Sequence, residues 1–290
     1  MRYTDSVHTV SISSPRTNRR DVFCLLINNI HRMKKILFLL PLLAGAASAV
    51  TLTKVADMSQ LVQTATMGSG VSVSTEWTMQ DGSAVYNFSN GGFISGGTDA
   101  AALNALTTAG STIVVATWVN PTAIAGIQSF FGFGGQSDGF KFTTNGDGVS
   151  VTTKGVYDTG THRTDDCHLT AGEWTLVALA MPSGYSGTNV PGRLFIGSEN
   201  GGYFSMSSYG NTNAPSGDNM AYAIGSGNAN NAREVFSGMM GGLTIFTSDV
   251  AANQVNNADI ANAMSRVVPE PATATLSLLA LVGLAARRRR

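Results

Sequence analysis

Cysteine and charge are what this chain has least of. Its 290 residues contain two cysteines, Cys24 and Cys167, and only 12% of them are charged. Cationic side chains are scarcest in the middle. Over residues 50–266 seven Lys and Arg stand against fifteen Asp and Glu, a formal net charge of −8. The zero net charge of the whole chain therefore sums basic ends with an acidic body. An acidic surface excludes nucleic acid as a partner, because that binding relies on Lys and Arg displacing counterions from phosphates. It suits solubility outside the cell, and cations or neutral sugars as partners. Catalytic groupings are missing as well. Retaining glycosidases need two carboxylates about 5 Å apart, yet Glu76, Glu173, Glu199 and Glu234 each lack a second carboxylate at alternating strand spacing. A serine nucleophile would have only His162 and His168 in the body as bases. His162, Asp165 and His168 match no tetrahedral zinc spacing, and with Asp166 they read as a solvated loop. The expectation is a protein that is not an enzyme. No internal repeat of 20–50 residues is present, which excludes a solenoid or propeller.

What the chain does have is concentrated at its two ends. Met33-Lys34-Lys35 precede an apolar stretch from Ile36 to Gly45, closed by Ala47-Ser48-Ala49. A basic start, an apolar core and small residues at −3 and −1 make a secretory signal peptide, with cleavage after Ala49 and Ala47 at −3. Residues 1–32 then have no role, and Met33 is expected to be the true start. With Cys24 upstream of the signal, Cys167 is alone in the body and an intramolecular disulfide is excluded. Its neighbour His168 would point to the opposite face of a strand, so Cys167 is expected to be buried and inert.

At the other end stand Pro269-Glu270-Pro271, an uncharged run from Ala272 to Ala286, and Arg287, Arg288, Arg289 and Arg290. Cationic residues after an apolar run are retained on the cytoplasmic side of a membrane. Fifteen residues make a helix of about 22 Å at ~1.5 Å per residue. That is short of a hydrocarbon layer of about 30 Å. The tripeptide, short apolar helix and basic end together resemble a PEP-CTERM sorting signal. The resemblance covers residues 268–290, and implies an exosortase-type membrane protease as partner and a transient membrane anchor. An ordinary C-terminal anchor is the alternative.

Between these ends the chain reads as β. Roughly 217 residues, 50–266, fit one sandwich-sized domain. Val71–Met79 alternates and stops at Gln80-Asp81-Gly82. Asn90-Gly91 suits a tight hairpin between Ala84–Phe88 and Gly92–Ser95. Thr112–Val119 is nearly all apolar and ends at Asn120-Pro121, the pattern of a central strand buried on both faces; Glu173–Met181 is a second such strand. Further strands are expected at 127–133, 139–143, 148–153, 193–196, 203–206, 221–224 and 243–246. Only Ala251–Met264 reads as helical, with Val255, Ile260 and Met264 near one face and Ser248 or Asp249 as N-cap.

Three of these segments, in order, resemble the laminin-G-like family. They are the apolar run into Trp118 with Asn120-Pro121, Gly172-Glu173-Trp174-Thr175-Leu176, and Phe236-Ser237-Gly238 leading into Leu243. The resemblance spans about residues 75–264 and implies an all-β, concanavalin A-like jelly-roll sandwich. Gly242 and Ile245-Phe246 depart from the acidic residue and apolar-Tyr pair usual there. Laminin-G-like modules often hold calcium at the rim, and Asp138, Asp147, Asp158, Asp165 and Asp166 fall in expected loops, although no spacing selects a ligand set. Trp118 and Trp174 belong to the core. Trp77, Tyr203 and Tyr209 are the candidates for stacking on a sugar. The reading is an exported, cell-surface or matrix binding module, lectin-like or adhesive, with a glycan or matrix ligand. A structural matrix protein without a discrete ligand is the alternative.

Overall fold

The computed structural model describes residues 50–97, 101–108, 110–134, 139–153, 156–164, 166–183, 190–198, 204–211, 220–230 and 232–269. The expected signal peptide with Ala47 and Ala49, and the sorting residues Glu270, Pro271 and Arg287 to Arg290, lie outside them. So do Tyr203, Asp138 and Asp165. Among the described residues no helix is long and apolar enough to cross a membrane.

The fold is the expected jelly-roll sandwich of two antiparallel sheets. The larger sheet runs β13 (Phe204–Asn211), β12 (Val190–Ser198), β11 (Thr175–Pro182), β6 (Thr112–Pro121), β15 (Gly238–Ser248), β4 (Ala84–Phe88), β3 (Val71–Met79) and β16 (Val267–Pro269). A further strand, β1 (Thr53–Asp57), pairs with β15. The smaller sheet runs β10 (Val156–His162), β9 (Gly148–Thr153), β8 (Phe140–Asn145), β7 (Ser129–Phe133), β14 (Tyr222–Ile224), β5 (Ile94–Gly96) and β2 (Thr66–Met67). The chain crosses between sheets after β1, β2, β4, β5, β6, β10, β13 and β14.

Period-two alternation decides which side chains face inward. Ile113, Val115 and Val119 of β6 join the layer between the sheets, where Phe130, Phe131 and Phe142 of the smaller sheet meet them. Val114, Ala116 and Trp118 point to the outer face of the larger sheet. All ten residues of β6 are buried, so this strand is covered on both sides as its sequence anticipates. The outer cover is the chain's own C-terminal segment, which contributes Val255, Ile260, Met264 and Val267.

Four local expectations are corrected. Asn90 and Gly91 do form a turn with φ of 49° and 76°, and Gly92 N–H donates to Ser89 O at 2.8 Å. It is not a hairpin turn, because β4 joins the larger sheet and β5 the smaller one. The C-terminal helix is broken: a 3-10 turn (Ala252–Gln254) precedes α2 (Asn257–Ala263), separated by an extended Val255 and by Asn256 as N-cap. A helix stands where none was expected, α1 (Met58–Gln63), capped by reciprocal bonds between Asp57 and Gln60. His162 is buried at the end of β10 and not in a solvated loop; the exposed residues there are Arg163, Asp166 and His168.

Candidate functional site

Sequence candidates fall into different settings. Trp118 and Trp174 are 4% and 2% exposed, in the outer layer as core residues. The Trp118 indole N–H donates to Ser265 O at 2.8 Å, whereas that of Trp174 is buried without a partner among the described residues. Trp77 is half-buried and packs edge-on against Trp174, ring centroids 5.7 Å apart. Tyr209 lies on β13, opposite Gly192 of β12, away from Trp77 in strand order. Cys167 is buried and unbridged, whereas His168 is exposed.

No three His, Cys, Asp or Glu residues among those described are grouped to hold a metal. Of the calcium candidates, Asp147 is engaged by Arg163 at 3.0 Å and Asp166 is exposed. Asp158 pairs through its backbone in β10. The structure does not bring these carboxylates together.

What it does bring together lies beside Trp77. Opposite β4 the register of β3 shifts, so that Ser74 to Trp77 stand across from the single residue Val85. A bulge of this kind bends a strand and re-aims its side chains. Ser74 Oγ organises it by accepting the N–H of Glu76 at 3.2 Å and of Trp77 at 3.1 Å. The bulge walls a cleft of about 580 Å³ on the outer face of the larger sheet. Ligand clefts typically measure about 300–1,000 Å³.

The cleft floor is a cross-strand row. Met239 of β15 faces Asn87 of β4 on one side and Asn120 of β6 on the other. Asn120 Nδ2 donates to Gly172 O at 3.2 Å, which fixes that amide. The side chains of Asn87 and Glu76 make no hydrogen bond among the described residues. Two planar polar groups are thus free beside one apolar thioether, held on strands that cannot easily move. Gly238 also lines the cleft, and a Cβ there would lie 2.2 Å from Asn120 O, so only glycine permits this approach. The Asn row escaped sequence reading because outward Asn residues look like ordinary solvent-facing positions. The one available signal was Asn120 itself, a polar residue closing an apolar run.

The chain matches no family model and no curated protein sequence. Among solved structures it is similar to domain 4 of AbnA, an extracellular GH43 arabinanase from Geobacillus stearothermophilus, in complex with arabinotriose. The identity is 16% over 63% of this chain and 79% of that one, with a TM-score of 0.40. It is similar to the CBM40 of a Ruminococcus gnavus IT-sialidase bound to α2,3-sialyllactose, at 16% identity over 68% and 93% of the two chains, TM-score 0.35. It is also similar to the receptor-binding domain of botulinum neurotoxin type G, at 13% identity, TM-score 0.41. The match covers 68% of this chain but 46% of that domain. At this level the likenesses carry no argument about ligand or activity.

Proposed function

We propose that this chain is an exported glycan-binding module, displayed at the cell surface or in the matrix outside it. The observation that carries the reading is the outer-face cleft, where Asn87 and Asn120 flank Met239 and the unengaged Glu76 lines the rim. A sugar ring offers hydroxyls that both donate and accept, and a C–H face that packs on apolar atoms. A carboxylate and amides supply the complementary polar groups, and Met239 the apolar contact. The acidic body and scarce cations favour such a neutral ligand over a phosphate-bearing one.

Export is supported by the chain ends alone: the signal-peptide pattern closing on Ala47 and Ala49, and the PEP-CTERM-like residues Pro269, Glu270 and Pro271 followed by the arginines 287–290. In this reading an exosortase-type protease handles the tail and the membrane anchor is transient. Mass spectrometry of the mature C-terminus in the native host should find the arginines removed. An intact Arg290 on the exported protein would refute that part.

A glycan array probed with the full chain tests the binding. Selective capture of a few related glycans is expected, weakened about tenfold by Asn87→Ala, a loss of roughly 1.4 kcal/mol. Uniform absence of binding would leave a matrix protein without a discrete ligand.

A further inference from the structure

A second cleft, of about 590 Å³, opens where the larger sheet has a gap. Its origin lies in the strand pairing. On one edge of β15, β4 pairs as far as Gly241, opposite Val85, and β1 takes over at Thr244, opposite Asp57. Gly242 and Leu243 fall at the junction, where neither strand pairs with them. On the other edge β6 also skips a residue there, since Gly241 faces Trp118 and Thr244 faces Ala116. Gly242 takes φ +63° in this bulge, and a Cβ on it would lie 2.5 Å from Met79 Cε. Glycine is thus required, and the missing side chain helps to leave the gap open.

Tyr86 lines this gap and is 8% exposed. Among the described residues its hydroxyl has no hydrogen-bond partner. The other tyrosine of the sandwich interior resolves the same problem internally: Tyr222 Oη donates to Leu61 O at 2.6 Å. Unlike the Trp174 indole N–H, this hydroxyl is not sealed from solvent, and the cleft that Tyr86 lines is where a ligand could meet it.

The surrounding groups restrict what can enter. Lys54 Nζ donates to Asp57 Oδ2 at 2.8 Å, so those two charges are already matched. Asp81 Oδ1 accepts Ser83 N–H at 3.0 Å and Ser83 Oγ–H at 2.7 Å. An anion entering the cleft would meet two carboxylates, and a cation would meet the Lys54 ammonium. Met58, Val62 and Ala84 supply apolar wall. One matched ion pair, a carboxylate already hydrogen-bonded by Ser83, hydroxyls and a hydrocarbon flank favour an uncharged molecule carrying several hydroxyls.

We propose that this gap is a second binding site, for an uncharged sugar unit that hydrogen-bonds the Tyr86 hydroxyl. It stands apart from the outer-face cleft and shares no residue with it. The two lie along one strand: Met239 lines one and Gly242 the other, about 10 Å apart at ~3.4 Å per residue. A chain with both sites would hold two sugar units at once, a property suited to cross-linking a polysaccharide matrix.

The test is titration of the full chain with glucose, galactose, N-acetylglucosamine, glucosamine and glucuronate, followed by protein-observed NMR. Saturable shifts with at least one of the uncharged sugars are expected. Tyr86→Phe should weaken them about fivefold. Ala263→Trp, which fills the cleft from an exposed position, should weaken them more than tenfold. The shifts are read at Ser83, Ala84 and Gly242, which line this cleft and not the other, so failure of this site is distinguishable from failure of the outer-face reading. The proposal is overturned if no uncharged sugar saturates, if both cleft variants bind as the parent does, or if glucosamine or glucuronate binds tenfold tighter than every uncharged sugar.

Discussion

The two faces of the larger sheet are buried by different means. Its inner face meets a second sheet, whose Phe130, Phe131 and Phe142 form a continuous aromatic layer. Among the described residues its outer face is covered mainly by the C-terminal segment, through Val255, Ile260, Met264 and Val267, with Leu52 packed alongside. A sheet can seal a sheet from edge to edge, whereas a short helix with its flanking turns covers only part. The margin left partly open holds Asn87 and Met239, with Asn120 at its buried end. In the proposed reading, binding and incomplete cover share this one structural origin.

Truncations sharpen that comparison, beginning with the inner layer. Phe130 is fully buried and meets Phe142 and Phe236 edge-on at 5.2 and 5.7 Å. Phe130→Ala should cost about 3–5 kcal/mol in chemical denaturation, and a loss below ~1 kcal/mol would dismiss the layer as the main core. Ile260→Ala, in the outer cover, should cost about 2–3 kcal/mol, near the low end for such truncations because a lone segment can settle into the space. Hydrogen exchange should then quicken in residues 252–267 while β7 and β8 keep their protection. Equal quickening in both would show that the cover and the core open together.

The two buried tyrosines make a finer contrast. Tyr222→Phe orphans Leu61 O and should cost about 1–2 kcal/mol, whereas Tyr86→Phe removes an unpaired hydroxyl and should change stability by less than ~0.5 kcal/mol. Matching losses would mean that Tyr86 has a partner after all. The smallest effects are those of pH. Burial raises the pKa of both phenols above 10.0. The unfolded chain therefore ionises first, and stability should hold below about pH 10 and fall as pH rises through the folded values. Asp57 behaves oppositely. Burial alone would raise its pKa, but bonds from Lys54, Ser59 and Gln60 outweigh burial and hold it below 3.8. Its contribution is present above that value and lost as pH falls through the folded one. Denaturation of Asp57→Asn should show a flatter acid limb; an unchanged slope would remove Asp57 from the acid response.

Much of the fold was legible in the residues because burial leaves a periodic trace. The unbroken apolar run of Thr112–Val119 announced a strand covered on both faces, and Trp118 and Trp174 announced their core role. Val255, Ile260 and Met264 were legible as one buried stripe, although the helix runs only from Asn257 to Ala263, with Asn256 as its N-cap and Met264 as its C-cap. What escaped depends on distant partners. Asn90-Gly91 dictates a turn, but which sheet the next strand joins is settled far away in the sequence. β1 and β16 are short strands whose ladders, to Thr244–Thr247 and Trp77–Met79, link remote parts of the chain. α1 left a capping signature in Asp57 and Gln60, hidden behind an extended stretch. The candidate site was least legible, since Glu76, Asn87, Asn120 and Met239 come from four strands and no local pattern aligns them. Trp77 was singled out in sequence as a stacking candidate, and its packing against Trp174 leaves it half-buried.

Oxidative footprinting offers the most direct measurement, because the molecule carries its own control. Met239 lies in the outer-face cleft, and Met206 is 40% exposed on β13, away from that cleft in strand order. With the full chain saturated by its best array glycan, hydroxyl-radical oxidation of Met239 should fall severalfold while that of Met206 stays constant. Unchanged oxidation of Met239 under saturating glycan would contradict the partly open margin of the sheet as the place where ligand binds.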